Sequence, residues 1–247
     1  MTGHFTATGF APACQPAKPA ALLSDRLSFM SRDVKGNARL VAVATRKYEQ
    51  RLRAEAAEET RRSILDAVYE QLRLAPAKPV SLEQVARRAN VARSTVYLIF
   101  GSRAGLFDAL STDLWWHRAG FQQVVDAIAH PDAREHLRGG IGAGVRVFAA
   151  HRDVFRALFS MAQLDADAVG GAIARIEENR AGGMDHLAQR LAEQEVLRPD
   201  VTAAQAADLL WLLTSFDGFD ELYTARKLAV DDVARTLITT AERALCR

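Results

Sequence analysis

Between Ser81 and Phe107 the chain reads SLEQVARRANVARSTVYLIFGSRAGLF, and this run restricts the fold more than any other. Ser81 can cap the free N–H groups at a helix start, and Gln84 stands three residues on, which completes a capping box ahead of Val85. This helix should end near Ala89. Asn90 accepts the left-handed conformation that a tight turn needs, and a second short helix is expected from Ala92 to Phe100. Gly101 stops it and Ser102 can cap the next. Val85, Val91, Val96 and Phe100 can bury together with Ile64 and Val68 of the preceding helix, and small Ala86 allows a close approach. The result is a three-helix head whose last helix protrudes, a helix-turn-helix.

Packing one side of that last helix decides what the other side shows. At about 100° per residue, burying Val96 and Phe100 turns Ser94, Tyr97 and Leu98 outward, with Thr95 on a flank and Arg93 at the helix start. Arginine can fork onto guanine, hydroxyls can bond bases or phosphates, and a leucine can press a thymine methyl. Arg103, in the first turn of the following helix, is placed to hold a backbone phosphate. With Ser81 these residues make a candidate DNA-binding set. Charge agrees: residues 1–112 hold 17 Lys and Arg against 10 Asp and Glu, a net +7, whereas the rest of the chain brings the total down to +2. An excess of positive charge in the N-terminal part attracts phosphates.

No stretch alternates apolar and polar residues strictly enough for a strand, so the fold class is all-α, with about nine helices. Residues 1–45, rich in Ala, Pro, Gly, Ser and Thr, are expected to be a disordered extension; its Arg26, Arg32, Lys35 and Arg39 could touch DNA as basic arms do, with a solvated tail the favoured reading. Residues 46–112 then form the head and 113–247 a helical body. In the body a long helix from Ser102 should continue to Ile128, Asp132 with Glu135 should open another, and Thr202 with Gln205 should cap one reaching Thr224. The last helix carries Asp231 and Asp232 at its positive end and Arg243 at its negative end. His151, followed by Arg152 and Asp153, is expected to cap a helix or lie at the surface. No apolar run approaches the ~20 residues of a membrane span and no secretory signal opens the chain, so a cytoplasmic protein with no membrane contact is expected. Cys14 and Cys246 form neither a disulfide framework nor a zinc spacing, and no metal or cofactor site is expected.

The run from Asn90 to Leu106 resembles the signature of the tetracycline-repressor (TetR) family of transcriptional regulators: a turn, then Thr95, Val96, Tyr97 and Phe100, then basic Arg103. The similarity spans roughly residues 55–112. Asn90 stands where the family usually has Gly, Ala92 where it has a capping Ser, and Ile99 where it has a polar residue. Losing the cap forfeits about 1 kcal/mol. The resemblance implies a double-stranded DNA operator as partner and a small-molecule effector bound among the body helices, with Trp115, Phe148, Phe155, Phe159, Met161, Trp211 and Phe216 as candidate pocket residues. The last two helices offer more apolar surface than a thin body need cover, on Leu209, Leu213 and Phe219 and on Val233, Leu237 and Ala241. Pairing these faces in a homodimer would bury the surplus and set two heads on a palindromic site. Effector would act by moving the long helix that joins body to head.

Two other readings compete: an all-α enzyme and a helical protein-interaction adaptor. No HExxH, CxxC, GxSxG or P-loop supports the first, and the second predicts no salt-dependent affinity for DNA.

Overall fold

The computed structural model describes residues 49–76, 78–118 and 120–247; the expected extension 1–45 lies outside them. Helix α1 occupies 49–74 and stops before Pro76, whose ring disfavours helical backbone in the residue before it. Its last four turns bury Ile64, Leu65, Val68 and Leu72. Helices α2 (Leu82–Arg88) and α3 (Arg93–Phe100) follow, then α4 (Arg103–Trp116) and α5 (Phe121–Ile128). The body continues with α6 (Ala133–Ala150), α7 (Arg152–Leu164), α8 (Gly171–Glu193), α9 (Ala203–Leu213), α10 (Phe216–Asp220) and α11 (Val230–Leu245). A π-helical turn, Ala166–Gly170, leads into α8, and another, Glu221–Ala225, extends α10. No strand occurs among the described residues; a lone bridge between Leu197 and Cys246 ties the chain end to the loop after α8.

Among the described residues eleven helices stand where about nine are expected, because two long ones are broken. The helix from Ser102 stops at Trp116, and α5 starts after Gly120, whose φ of 107° no side-chain-bearing residue adopts readily. The helix opened by Thr202 stops at Leu213, where the Ser215 hydroxyl accepts from the Gly218 N–H at 3.1 Å and restarts it as α10. Elsewhere in the body the expected caps hold. Asp132 accepts from the Arg134 and Glu135 N–H groups at 2.7 and 3.0 Å, and Thr202 with Gln205 closes a full capping box.

Two apolar cores organise the chain from Glu58 onward, which is one compact unit. The first joins α1 to α4 and extends into the body through Val154, Ala157, Leu158 and Met161 of α7. The second fills the body between α6, α8, α9, α10 and α11. Helix α7 divides the two cores, since Phe155 and Phe159 face the second. Helix α4 joins them, with Leu106, Phe107 and Leu110 in the first and Trp115 against the second. No helix among the described residues is long and apolar enough to cross a membrane.

Candidate nucleic-acid interface and body cavity

The turn between α2 and α3 forms as its residues dictate. Asn90 adopts φ 54°, the left-handed conformation expected of it, and Ala92 supplies no side-chain cap. Ser81 accepts from the Gln84 N–H at 3.4 Å, but the expected box is only half made, because the Gln84 side chain accepts from Gln71 Nε2 at 3.3 Å instead. Behind α3, a Cβ on Gly105 would run into the Phe100 carbonyl oxygen, so only glycine lets α4 pass this close to the end of α3. Val96 is buried, and Val91, Ile99 and Phe100 pack partly buried against the head core. Ile99 therefore serves packing rather than the outer face.

With that side anchored, Arg93, Ser94, Tyr97 and Leu98 share one exposed face, and Thr95 is half-buried at its flank. Leu98 is 85% exposed, a large apolar side chain that nothing among the described residues covers. Arg93 Nη2 donates to Tyr97 Oη at 3.4 Å, and its guanidinium lies 5.7 Å from the Tyr97 ring centroid. No carboxylate among the described residues pairs with it. Ser81 sits half-buried at the start of α2.

Arg103 is placed differently from its expected role on phosphate. Its Nη1 donates to Asp165 Oδ2 at 2.6 Å and its guanidinium packs on the Phe107 ring, so it braces α4 against the turn before α8. A second brace lies at the other end of α4. Arg118 Nε donates to Asp113 at 2.7 Å, its Nη2 donates to Asp66 of α1 at 2.8 Å, and its guanidinium stands 4.1 Å over the Tyr69 ring. The Tyr69 hydroxyl is hydrogen-bonded to His151 Nδ1 at 2.9 Å. His151 occupies the cap between α6 and α7, as expected, but is buried rather than at the surface.

The body encloses a cavity of about 350 Å³. Of the expected pocket residues, Trp115 and Phe148 line it. Phe155, Phe159 and Phe216 instead form an aromatic core behind Phe148, with Phe148 to Phe155 at 5.1 Å and Phe159 stacked on Phe216 at 5.3 Å. Met161 belongs to the core shared with the head. Trp211 is 43% exposed on the outside of α9, with the Arg180 guanidinium 4.7 Å from its ring. Two residues assigned to the dimer face, Phe219 and Leu237, line the cavity, while Val233 and Ala241 are fully enclosed in the protomer. Leu209 and Leu213 are half-buried on α9. The apolar surface that α9 leaves outside is Trp211 and Leu212, the latter 62% exposed.

The walls that the sequence reading misses include apolar residues such as Ile141 and Ile176 and a set of small or polar ones: Ser111 and Thr112 of α4, Gly140 and Gly144 of α6, and Gly183 and Arg180 of α8, with His136 among them. A signal for them exists in the GGIGAG run of α6, since each glycine inside a helix costs about 0.5–1 kcal/mol against alanine and so marks a place where a side chain is unwelcome. Below the cavity, Asp220 is buried and bonded by Arg152, Arg156 and Thr224. Burial alone would raise its carboxyl, but those hydrogen bonds outweigh it and hold the group at about 2.

The model of bacterial regulatory proteins of the tetR family matches residues 64–110, which run from the core of α1 through the outer face of α3 to Leu110. The head thus carries the tetR-family domain. Among solved structures the chain is similar to NalD of Pseudomonas aeruginosa, the secondary repressor of the MexAB-OprM multidrug efflux pump, at 26% identity and a TM-score of 0.60; the match covers 78% of this chain and 98% of NalD. A TetR family transcription regulator from Marinobacter aquaeolei (17% identity, TM-score 0.57, 78% and 98% covered) and a TetR-like regulator from Rhodococcus sp. RHA1 (20%, 0.55, 74% and 94%) share the fold. No curated protein matches this chain in sequence. The match to the family model includes the exposed set on α3 and ends just before the cavity walls of α4.

Proposed function

We propose that this TetR-family protein is a repressor that binds a palindromic operator as a homodimer and is controlled by a small molecule in the body cavity. The observation that carries the reading is the exposed face of α3. It holds a guanidinium that no carboxylate among the described residues pairs with, two hydroxyls and an exposed leucine on one helix, the residue types that read major-groove edges. Trp211 and Leu212 supply apolar surface on α9 that a second copy would cover, and two heads in such a dimer would meet grooves roughly 34–36 Å apart.

Control follows from α4, which places Leu106, Phe107 and Leu110 in the head core and Ser111, Thr112 and Trp115 on the cavity. An effector that fits one setting of α4 better than another shifts the heads by that difference in affinity. The similarity to NalD supports the repressor role. Footprinting on the DNA flanking the protein's own coding region tests the reading. Protection of an inverted repeat is expected, and binding without sequence preference would refute it.

A further inference from the structure

The cavity is lined by Arg175 and Arg180 and, among the described residues, by no carboxylate. Each arginine already has its acid: Arg175 is paired with Asp108 and Arg180 with Glu177, and Arg180 also donates to the Trp211 carbonyl oxygen and the Thr214 hydroxyl. An organic cation entering here would meet two guanidiniums and no carboxylate, leaving aromatic faces alone to offset its desolvation. The wall hydroxyls are largely committed as donors. Ser111 and Thr112 donate to the Asp108 carbonyl and Thr214 to that of Leu210, at 2.8 to 3.0 Å. Asn179 lies at the exposed rim.

His136 is different. Its Nδ1 lies 3.1 Å from Arg190 Nη1, and a guanidinium can only donate, so Nδ1 is the acceptor and the ring proton sits on Nε2. Arg190 is itself fixed by the carbonyl oxygens of Ile128, His130 and Pro131 at 3.1, 2.7 and 2.8 Å. Burial, with Arg190 and His186 nearby, pulls the imidazole down to about 4, so the ring is neutral at pH 7. Around it the space is open: a Cβ on Gly144 or Gly183 would meet nothing within 4 Å, and one on Gly140 would stop 3.7 Å from the His136 ring. Trp115, Phe148 and Phe219 give the remaining wall aromatic faces.

We propose that this cavity takes an uncharged, mainly apolar aromatic ligand bearing an acceptor oxygen such as a ketone, hydrogen-bonded by His136 Nε2, and that it rejects organic cations. The inference rests on the proposed role of the cavity as the effector site, and it assigns that site's ligand class. The volume, at the low end of the roughly 300–1,000 Å³ of small-molecule sites, suits two linked rings.

Calorimetry on the full chain with three probes of similar size tests it: benzophenone, diphenylmethane and benzyldimethylphenylammonium. Benzophenone should bind about tenfold more tightly than diphenylmethane, the value of one neutral hydrogen bond, and the cation should not bind measurably. His136→Phe keeps a ring in place and should erase the preference for the ketone while diphenylmethane binds as before. Gly144→Leu should abolish binding of both neutral probes in a protein that melts no lower than the parent. Cation binding as tight as that of the ketone, a ketone preference that survives His136→Phe, or no binding of either neutral probe would overturn the proposal. Benzophenone binding that follows this pattern but leaves operator affinity unchanged would uphold the ligand class and remove effector control instead.

Discussion

Helix α3 and the body use arginine in opposite ways. In the body each cavity-side or core-side guanidinium is committed: Arg152 and Arg156 to Asp220, Arg175 to Asp108, Arg180 to Glu177, and Arg190 to three carbonyl oxygens and His136. In the head Arg93 has one long bond to a tyrosine hydroxyl and stands in solvent. A committed guanidinium holds helices in place; an uncommitted one on a rigid helix is available to another molecule. Arg103 shows that sequence position does not settle which kind a residue is, since the acid that claims it, Asp165, lies 62 residues away.

The contrast can be broken most directly by substitution. Gly105→Val should have the largest effect, because its side chain would strike the Phe100 carbonyl oxygen and push α4 from α3; a loss of about 3 kcal/mol is expected, seen as a melting temperature lower by roughly 10 °C. Arg152→Ala should cost about 3 kcal/mol by leaving buried Asp220 short of a partner, measured by urea unfolding. Arg93→Ala should change stability by no more than about 0.5 kcal/mol yet weaken operator binding about 10- to 100-fold in anisotropy titrations. If the two arginine variants lost equal stability, the distinction would fail.

Acid should sharpen the comparison further, because His136 and Asp220, both held below their ordinary values, favour the folded state only at higher pH. His136, held at about 4 against an ordinary 6.5, contributes stability that is complete above 6.5 and declines as pH falls toward 4. Asp220, held at about 2, contributes stability that is complete above its ordinary 3.8 and is lost as pH falls toward 2. Asp220→Asn should flatten the lower limb and His136→Phe the upper one in unfolding measured across pH. The smallest effect is expected from Leu98→Ala, a few-fold loss confined to sites with thymine under that side chain, measured on base-substituted duplexes.

The head was far more legible in the sequence than the cavity. Val85, Val96 and Ile64 announce its core by helical spacing, and Asn90, Gly101 and Ser102 mark its turns through local backbone chemistry that needs no distant partner. The body's errors arise where tertiary packing decides. Apolar residues continue on both sides of Gly120 and of Ser215, so periodicity runs through two real breaks. Phe155 and Phe216 have the same spacing whether they face a cavity or one another, and only packing assigns them to the core. Phe219 and Leu237 have the spacing of surplus surface because a cavity, like a partner, demands apolar walls.

The central claim is that the outer face of α3 reads base edges. It is tested by measuring, at one fixed salt concentration, the affinities of the parent and of Tyr97→Ala for the protected inverted repeat and for a scrambled duplex of equal length. The parent should prefer the repeat by about a thousandfold or more, and Tyr97→Ala should lose most of that ratio while folding normally. Equal affinity of the parent for the two duplexes, or a ratio untouched by the substitution, would contradict the account.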